Sequence, residues 1–293
     1  MSLVAALFNR RTFAALILLV WLGTLGALAR RRAAARAAAG IVAGGALRLP
    51  PGGAFYAILH EERQVGTLSL ALDTTAAGFR LTERLDADLP RGPGGASAPG
   101  GRFFITTEAE LGRSLELRAF RTVRTGRGAR LSMSGEPLSD GRLRLTLTRP
   151  RGGGPTTTVL EREGGEPLVL PGLLPLQLAH GAVRLPGDSA AVALFDPLVR
   201  RPRLLAARRG ADSTFVVPDS AAWDSVAGRW TAAHLDTVPA RRFDLSPAEA
   251  ARPWRLWVDR DGWPVRAEGP DGWVLERSAF ELVRTGRSPT SSR

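Results

Sequence analysis

The sequence predicts a mainly β protein: an N-terminal transmembrane helix, then a strongly curved antiparallel sheet, a half-barrel or sandwich, with one or two short helices. Three observations carry this. An uncharged run near the start is framed by arginines. From Phe55 onward apolar and polar residues alternate with period two. Gly/Pro-rich turns punctuate that alternation at short intervals.

The N-terminal element comes first. Residues 1–11 form a basic tail ending in Arg10 and Arg11. Thr12 to Ala29 is eighteen residues without a charge, with Phe13, Leu16, Leu18, Leu19, Trp21 and Leu22 as its apolar side chains. A helix of that length covers about 27 Å, close to a hydrocarbon core. It is apolar on every face, so lipid is its natural solvent. Two fates stay open. Ala27-Leu28-Ala29 has the small-x-small form of a signal-peptidase site, and Arg10-Arg11-Thr12-Phe13 approaches a twin-arginine signal, though Ala14 departs from it. Against cleavage, Arg30-Arg31-Arg32 follows directly, which favours a retained anchor. Those arginines, taken alone, would hold the C-terminal side in the cytoplasm, but the short N-terminal tail is itself basic. The preferred expectation is a single-pass membrane protein with its main domain periplasmic or extracellular, secreted if the signal is cleaved.

The alanine-rich stretch after Ala29 should extend the helix to residue 39. Residues 40–53, with Gly44-Gly45 and Pro50-Pro51-Gly52-Gly53, read as a tether. Residues 54–284 then form one β-rich domain. Thr67–Leu72, Phe79–Thr82, Leu115–Phe120 and Leu143–Thr148 all alternate, the mark of antiparallel strands with one wet face. Arg63-Gln64 is read as the first hairpin connection, and Gly152-Gly153-Gly154 links Leu143–Thr148 to a strand over Thr156–Glu163. Pro171 to His180 breaks the alternation and suits a short apolar helix. The chain there should pass from a first run of strands to a second. Ser220-Ala221-Ala222-Trp223 is read as a second break that opens a turn. Asp261-Gly262 and Asp271-Gly272 are hairpin turns separating three final strands. The polar tail 285–293 is expected to be mobile.

Composition narrows function. The net charge is +12, yet residues 1–40 supply half of it through six arginines and no acid. Elsewhere arginine and acid interleave, as in Glu161-Arg162-Glu163, so a nucleic-acid surface is not expected. All forty basic residues are arginine, which fits a G+C-rich coding bias. There is no cysteine, hence no disulfide and no thiol chemistry. His60, His180 and His234 are far apart, and Glu61 and Glu62 beside His60 alternate in direction, so no metal or cofactor is expected. Asp259-Arg260-Asp261-Gly262 lacks the later ligands of a calcium loop and reads as a strand end and turn. No Gly-x-Ser-x-Gly occurs, leaving only a hydrolase with a dispersed site as a weak alternative. Six of seven tryptophans fall between Trp223 and Trp273. Core packing explains them; a ligand face built from Trp254, Trp257, Trp263 and Trp273 is the alternative. Trp254 and Trp257, an odd number apart, should face opposite sides.

Tyr56-x-x-x-x-Glu61-x-x-x-Val65-Gly66, Phe195-Asp196-Pro197 and Trp257-Val258-Asp259-x-Asp261-Gly262-x-Pro264-Val265, followed by Gly272, Leu275 and Arg277, resemble the β-rich domain preceding the core of some bacterial transglutaminase-like proteins. The resemblance spans about residues 54–284 and rests on short, turn-forming motifs. It implies a bent sheet similar to the half-barrels of lipoprotein carriers, which hold acyl chains. The catalytic core of that family, with its cysteine, is not in this chain, so no functional residue carries over. The expected function is therefore a non-enzymatic, membrane-tethered envelope protein. Its partners would be the lipid bilayer and either a lipid-like ligand or another envelope protein, with no nucleic acid. A glycan or cell-wall binding module using exposed tryptophan is the alternative.

Overall fold

The computed structural model describes residues 49–89, 101–126, 129–138, 142–148, 156–160, 168–181, 187–197, 201–247 and 253–279. The expected membrane helix, most of the tether and the C-terminal tail lie outside these residues. Among the described residues no helix is long and apolar enough to cross a membrane.

The described strands join in one sheet. In chain order they are β1 (Gly52–His60), β2 (Arg63–Thr75), β3 (Gly78–Leu89), β4 (Gly101–Gly112), β5 (Leu117–Gly126), β6 (Ala129–Pro137), β7 (Leu143–Thr148), β8 (Thr156–Leu160), β9 (Leu168–Val169), β10 (Ser189–Asp196), β11 (Arg201–Asp224), β12 (Arg229–Pro247), β13 (Trp254–Val258), β14 (Pro264–Glu268) and β15 (Trp273–Ser278). A single helix, α1 (Leu174–His180), separates β9 from β10. The spatial order is β8-β7-β6-β5-β4-β3-β2-β1-β15-β14-β13-β12-β11-β10-β9. The chain thus builds one arm with β1–β8, crosses through α1 and builds the other arm back to β15, which pairs with β1 antiparallel. The crossing falls where the apolar, proline-bearing segment predicts it. The fold is mainly β and barrel-like: one sheet wrapped on a helix rather than two stacked sheets.

Alternation fixes the inner face. Tyr56, Leu68, Leu85 and Ile105 stand in one cross-strand row. Leu72, Leu81 and Ala109 stand in another, nearer the helix. Alpha1 is too short to persist alone. It forms because Leu174, Leu176, Leu178 and Ala179 are buried within the main core, against Leu72, Leu81, Leu111, Phe243 and Val258. Its one buried polar side chain, Gln177, donates from Nε2 to the Leu115 carbonyl at 3.1 Å. At its C-terminal end Arg241 donates to the Ala179 carbonyl at 2.9 Å.

Three local expectations are corrected. The β1–β2 turn is Glu61-Glu62, not Arg63-Gln64; both glutamates have positive φ, 50° and 65°, as a two-residue hairpin with the right twist requires. Gly52 and Gly53 belong to β1 rather than to a tether. Gly53 lies under the Leu70 carbonyl, which a Cβ would approach to 3.0 Å. Ser220–Trp223 is strand, because Trp223 pairs with Trp230 across β11 and β12. The turn comes after it, where Asp224 Oδ1 accepts from the Val226 and Ala227 amides at 2.9 Å and Gly228 takes φ +60°. The final three strands form as expected, although Pro270–Gly272 makes a short 3-10 turn.

Candidate functional site

Alpha1 fills one end of the barrel-like body, and among the described residues no element fills the other. The strand directions place Val258, Gly52 and the α1 docking site at the filled end, and the β1–β2 and β14–β15 turns at the opposite end. The inner face carries two separate buried clusters outside the main core. Ala54, Tyr56 and Leu70 lie toward the filled end; Ala87, Phe103 and Ile105 lie toward the opposite end. Between them Leu68 and Leu85 stand directly opposite each other and are only half-buried, as are Ile58 and Leu275 in the neighbouring positions. Half-exposed leucines and isoleucine on a concave face, flanked by closed core, make an apolar mouth. We take this mouth as the candidate site.

Its rim carries an arginine and two tryptophans. Arg124 pairs across from Ile105, so it shares the inner face, and its guanidinium lies over the Phe103 ring, 5.6 Å from the centroid. Trp254 pairs with the buried inner residue Leu245 and is 44% exposed. Trp273 alternates with Leu275 and stacks on His60, with ring centroids 4.5 Å apart.

The inner limit of the mouth is set by Glu83. It pairs with Thr107, which bonds Thr122 side chain to side chain at 3.1 Å, and it lies one inward position before Leu85. Burial pushes its carboxyl up to about 7. The negative charge of Asp196 adds to the rise, and a hydrogen bond donated by the Gly172 amide partly opposes it. A Cβ on Gly172 would sit 2.6 Å from the Glu83 carboxylate, so a larger residue there would push the carboxylate aside.

The four expected tryptophans do not share a platform. Trp254 and Trp257 do alternate, but Trp257, on the outer face, is 8% exposed because Phe215 of β11 covers it edge-on at 5.7 Å. Trp263 packs on the core beside Tyr56 and under Gly52. Trp254 and Trp273 alone stand at the mouth end. The membrane-anchor residues Phe13, Leu16, Leu18, Leu19, Trp21 and Leu22 lie outside the described residues.

The motif residues that stand out in the sequence converge elsewhere, at the filled end. Asp259 Oδ1 accepts from the Asp261 and Trp263 amides, and Oδ2 pairs with Arg277 at 2.7 Å. Arg277 also donates to the Trp263 and Pro264 carbonyls. Tyr56, fully buried, lies across from Arg277. Burial pushes its phenol up, Arg277 opposes that rise and Asp259 adds to it. This is a structural knot whose carboxylate is fully committed, as the turn reading of Asp259–Gly262 requires. Among the described residues no group of three His, Asp or Glu side chains stands ready for a metal.

No family model matches the chain, and no curated protein matches it. Among solved structures it is similar to a crystal structure described as a beta-barrel-like protein of domain of unknown function DUF1849 from Brucella abortus. The identity is 14% and the TM-score 0.48, over 79% of this chain and 96% of that one.

A groove of about 200 Å³ lies on the outer face, lined by Phe55, Ser69, Arg84, Asp86, Phe104 and Thr106. Arg102 closes one side through an ion pair with Asp86 at 2.5 Å while lying over Phe104. Neither the mouth nor Glu83 is visible from sequence alone. Leu68 and Leu85 look like any core leucines, and Glu83 looks like a wet-face charge until register puts it inside.

Proposed function

We propose that this protein is a non-enzymatic, membrane-tethered envelope protein that holds an apolar, lipid-like ligand in the mouth of its curved sheet. The single observation that carries the reading is the half-buried Leu68–Leu85 pair between two closed clusters on the concave face. Apolar side chains left partly wet inside a barrel gain roughly 25 cal/mol per Å² when a ligand covers them. Arg124 at the rim supplies a positive partner for an anionic head group, and Glu83, at the inner limit, would meet the far end of the ligand in its neutral form below pH 7. The mouth opens away from the end where Gly52 begins the sheet. Ligand would therefore exchange with the aqueous space or another envelope protein rather than with the bilayer beside the tether.

The test is binding of cis-parinaric acid, a fluorescent fatty acid, to the full chain in detergent-free nanodiscs. Saturable binding that Leu68→Arg and Leu85→Arg both abolish, with thermal unfolding of the variants unchanged, is the expected result. No binding, or binding indifferent to both substitutions, overturns it. Trp254, exposed at the rim, is the observation behind a second reading as a glycan-binding module. Sugar-dependent quenching of tryptophan, lost in Trp254→Ala, with no parinaric acid bound, would establish that reading instead.

A further inference from the structure

Beyond Arg208 strand β11 leaves β10, and ahead of Arg241 strand β12 has not yet joined β13, so the two form a ribbon paired only to each other. The ribbon lies across the outer face of the sheet. Phe215 meets Trp257 of β13 edge-on, Val217 and Ala240 pack in one cluster with Val265 of β14, and Pro218 borders a groove that Ala57 of β1 also lines. Strand β11 therefore crosses the sheet strands in the direction β13 to β1. The ribbon residues lining that groove, Phe215 to Pro218, all come from β11 and none from β12. The groove thus lies on the side of β11 that no described strand pairs.

Two prolines say which backbone groups face that side. A proline nitrogen has no hydrogen to donate, so proline suits only those antiparallel pairs whose backbone groups point away from each other. Thr214 is paired with Pro239 and Pro218 with Leu235, four residues apart on β11, so both pairs are of this kind. Val216, midway between them, follows by the period of two. Its partner Thr237 agrees: that amide donates to Asp236 Oδ1 at 2.7 Å. The N–H and C=O groups of Thr214 and Val216 and the carbonyl of Pro218 therefore form an open strand edge beside the groove.

The floor beside this edge continues past the ribbon. One cross-strand row on the outer face runs Arg266, Glu276, Ala57, Thr67, Asp86 and Phe104; the next runs Ser278, Phe55, Ser69, Arg84 and Thr106. The groove of about 230 Å³ beside β11 and the groove of about 200 Å³ around Phe104 are both lined by these two rows. They are two halves of one furrow across six neighbouring strands, β14 to β4. At about 4.8 Å per strand that is about 24 Å, room for about seven extended residues. Thr67 and Ser69 keep its middle small, and Phe55 and Phe104 beyond them are 37% and 46% exposed. Arg266 is paired with Glu276 and Arg102 with Asp86. Arg84, exposed between the aromatics, has no acidic partner among the described residues. An open strand edge accepts another strand, and an uncompensated guanidinium accepts a carboxylate. We infer that the furrow docks an extended segment of a partner protein, added as a strand to the β11 edge, with an acidic side chain on Arg84 and an apolar one between Phe55 and Phe104. The site is on the opposite face of the sheet from the mouth and needs no ligand there.

The test is selection of random nine-residue peptides, displayed on phage, against the full chain in nanodiscs, the enriched sequence then being synthesised with a fluorescent label. The expected peptide carries Asp or Glu among apolar residues and binds saturably. Methylating every second backbone nitrogen of the peptide should abolish binding in one register and spare it in the other, the signature of strand addition read on an unaltered protein. Arg84→Glu should weaken binding about 10-fold or more with thermal unfolding unchanged, and a lysine in place of the peptide's acid should recover it. No enriched sequence, a peptide indifferent to methylation in both registers, or an affinity indifferent to Arg84→Glu overturns the inference. Binding that appears only after residues 280–293 are removed assigns the furrow to the chain's own tail and also overturns it. So does a dimer, seen by sedimentation, that the peptide dissociates, because the furrow then belongs to a second copy.

Discussion

Tyr56 on β1 lies directly opposite Arg277 on β15, so the first and last described strands meet at a buried phenol and a half-buried guanidinium. Arg277 spends its donors on Asp259 and on two carbonyls of the β13–β14 turn, while the Tyr56 hydroxyl has no hydrogen-bond partner among the described residues. The two residues therefore make opposite predictions. Asp259→Ala leaves Arg277 without its counter-charge and uncaps two amides, and should cost about 3 kcal/mol. Tyr56→Phe removes a buried hydroxyl that only approaches the Arg277 guanidinium, and should change stability by no more than about 1 kcal/mol. Urea unfolding of the two variants checks both; a Tyr56→Phe loss comparable to Asp259→Ala would mean that the phenol is engaged after all.

The β1–β2 turn carries strain that can be relieved. Glu61 and Glu62 both hold positive φ, a conformation that costs a residue with a Cβ about 1 kcal/mol or more. Replacing the pair with Asn-Gly should raise stability by about 1 kcal/mol. Thermal unfolding reads the gain; a lower midpoint would show that the glutamates contribute something the backbone strain does not reveal.

These two cases mark what was legible in the sequence. Alternation in Thr67–Leu72 and Leu143–Thr148 identified strands and their faces, since a half-buried strand imposes period two whatever its partners. The apolar run at Pro171 announced α1, since no other stretch between Phe55 and Arg284 is apolar on every side over that length. The first turn was misplaced because Glu61-Glu62 has none of the Gly, Asn or Asp that normally accepts positive φ. The ribbon was missed because Ser220-Ala221-Ala222-Trp223 has no alternation: unsupported on either face, it has no reason to alternate. Glu83 was missed because a charge on a strand says nothing about which side is wet.

Gly262 is the contact on which α1 docks. Its φ is +93°, and a Cβ there would lie 2.8 Å from Leu176 Cδ2 and 3.1 Å from Leu176 Cα. Gly262→Ala therefore meets both backbone strain and a helix that cannot retreat, and should cost about 2–4 kcal/mol. Amide exchange should accelerate first in residues 174–180. Uniform acceleration across the sheet would show instead that α1 is not a separable plug.

Glu83 makes stability depend on pH in a stated direction. Its folded value of about 7 lies above the ordinary 4.5, so the folded protein holds this proton more tightly than the unfolded chain does. The contribution is favourable below about 4.5, declines as pH rises toward 7 and stays at its lowest above that. Some solvent access remains at this side chain, so the swing should be about 1–2 kcal/mol rather than the full value of the shift. Glu83→Gln should be more stable than the parent at pH 8 and no more stable at pH 4. Urea midpoints across that range decide it; a variant equally stable at both ends would show that the carboxyl is not held neutral.

Arg124 separates recognition of a head group from recognition of a chain. It stands on the inner face at the mouth with its guanidinium over Phe103, whereas Leu68 and Leu85 offer no charge. If the ligand is an anionic amphiphile, Arg124→Gln should weaken binding of parinaric acid about 5- to 10-fold and leave binding of its methyl ester unchanged, the loss of one partly exposed charge contact being worth about 1 kcal/mol. Leu85→Arg should weaken both alike, because it fills the apolar floor. Trp254→Ala should affect neither by more than about twofold, since that ring is largely in water and at the rim. Equal loss of acid and ester in Arg124→Gln would move the head group elsewhere and leave Arg124 as a cover for Phe103 alone.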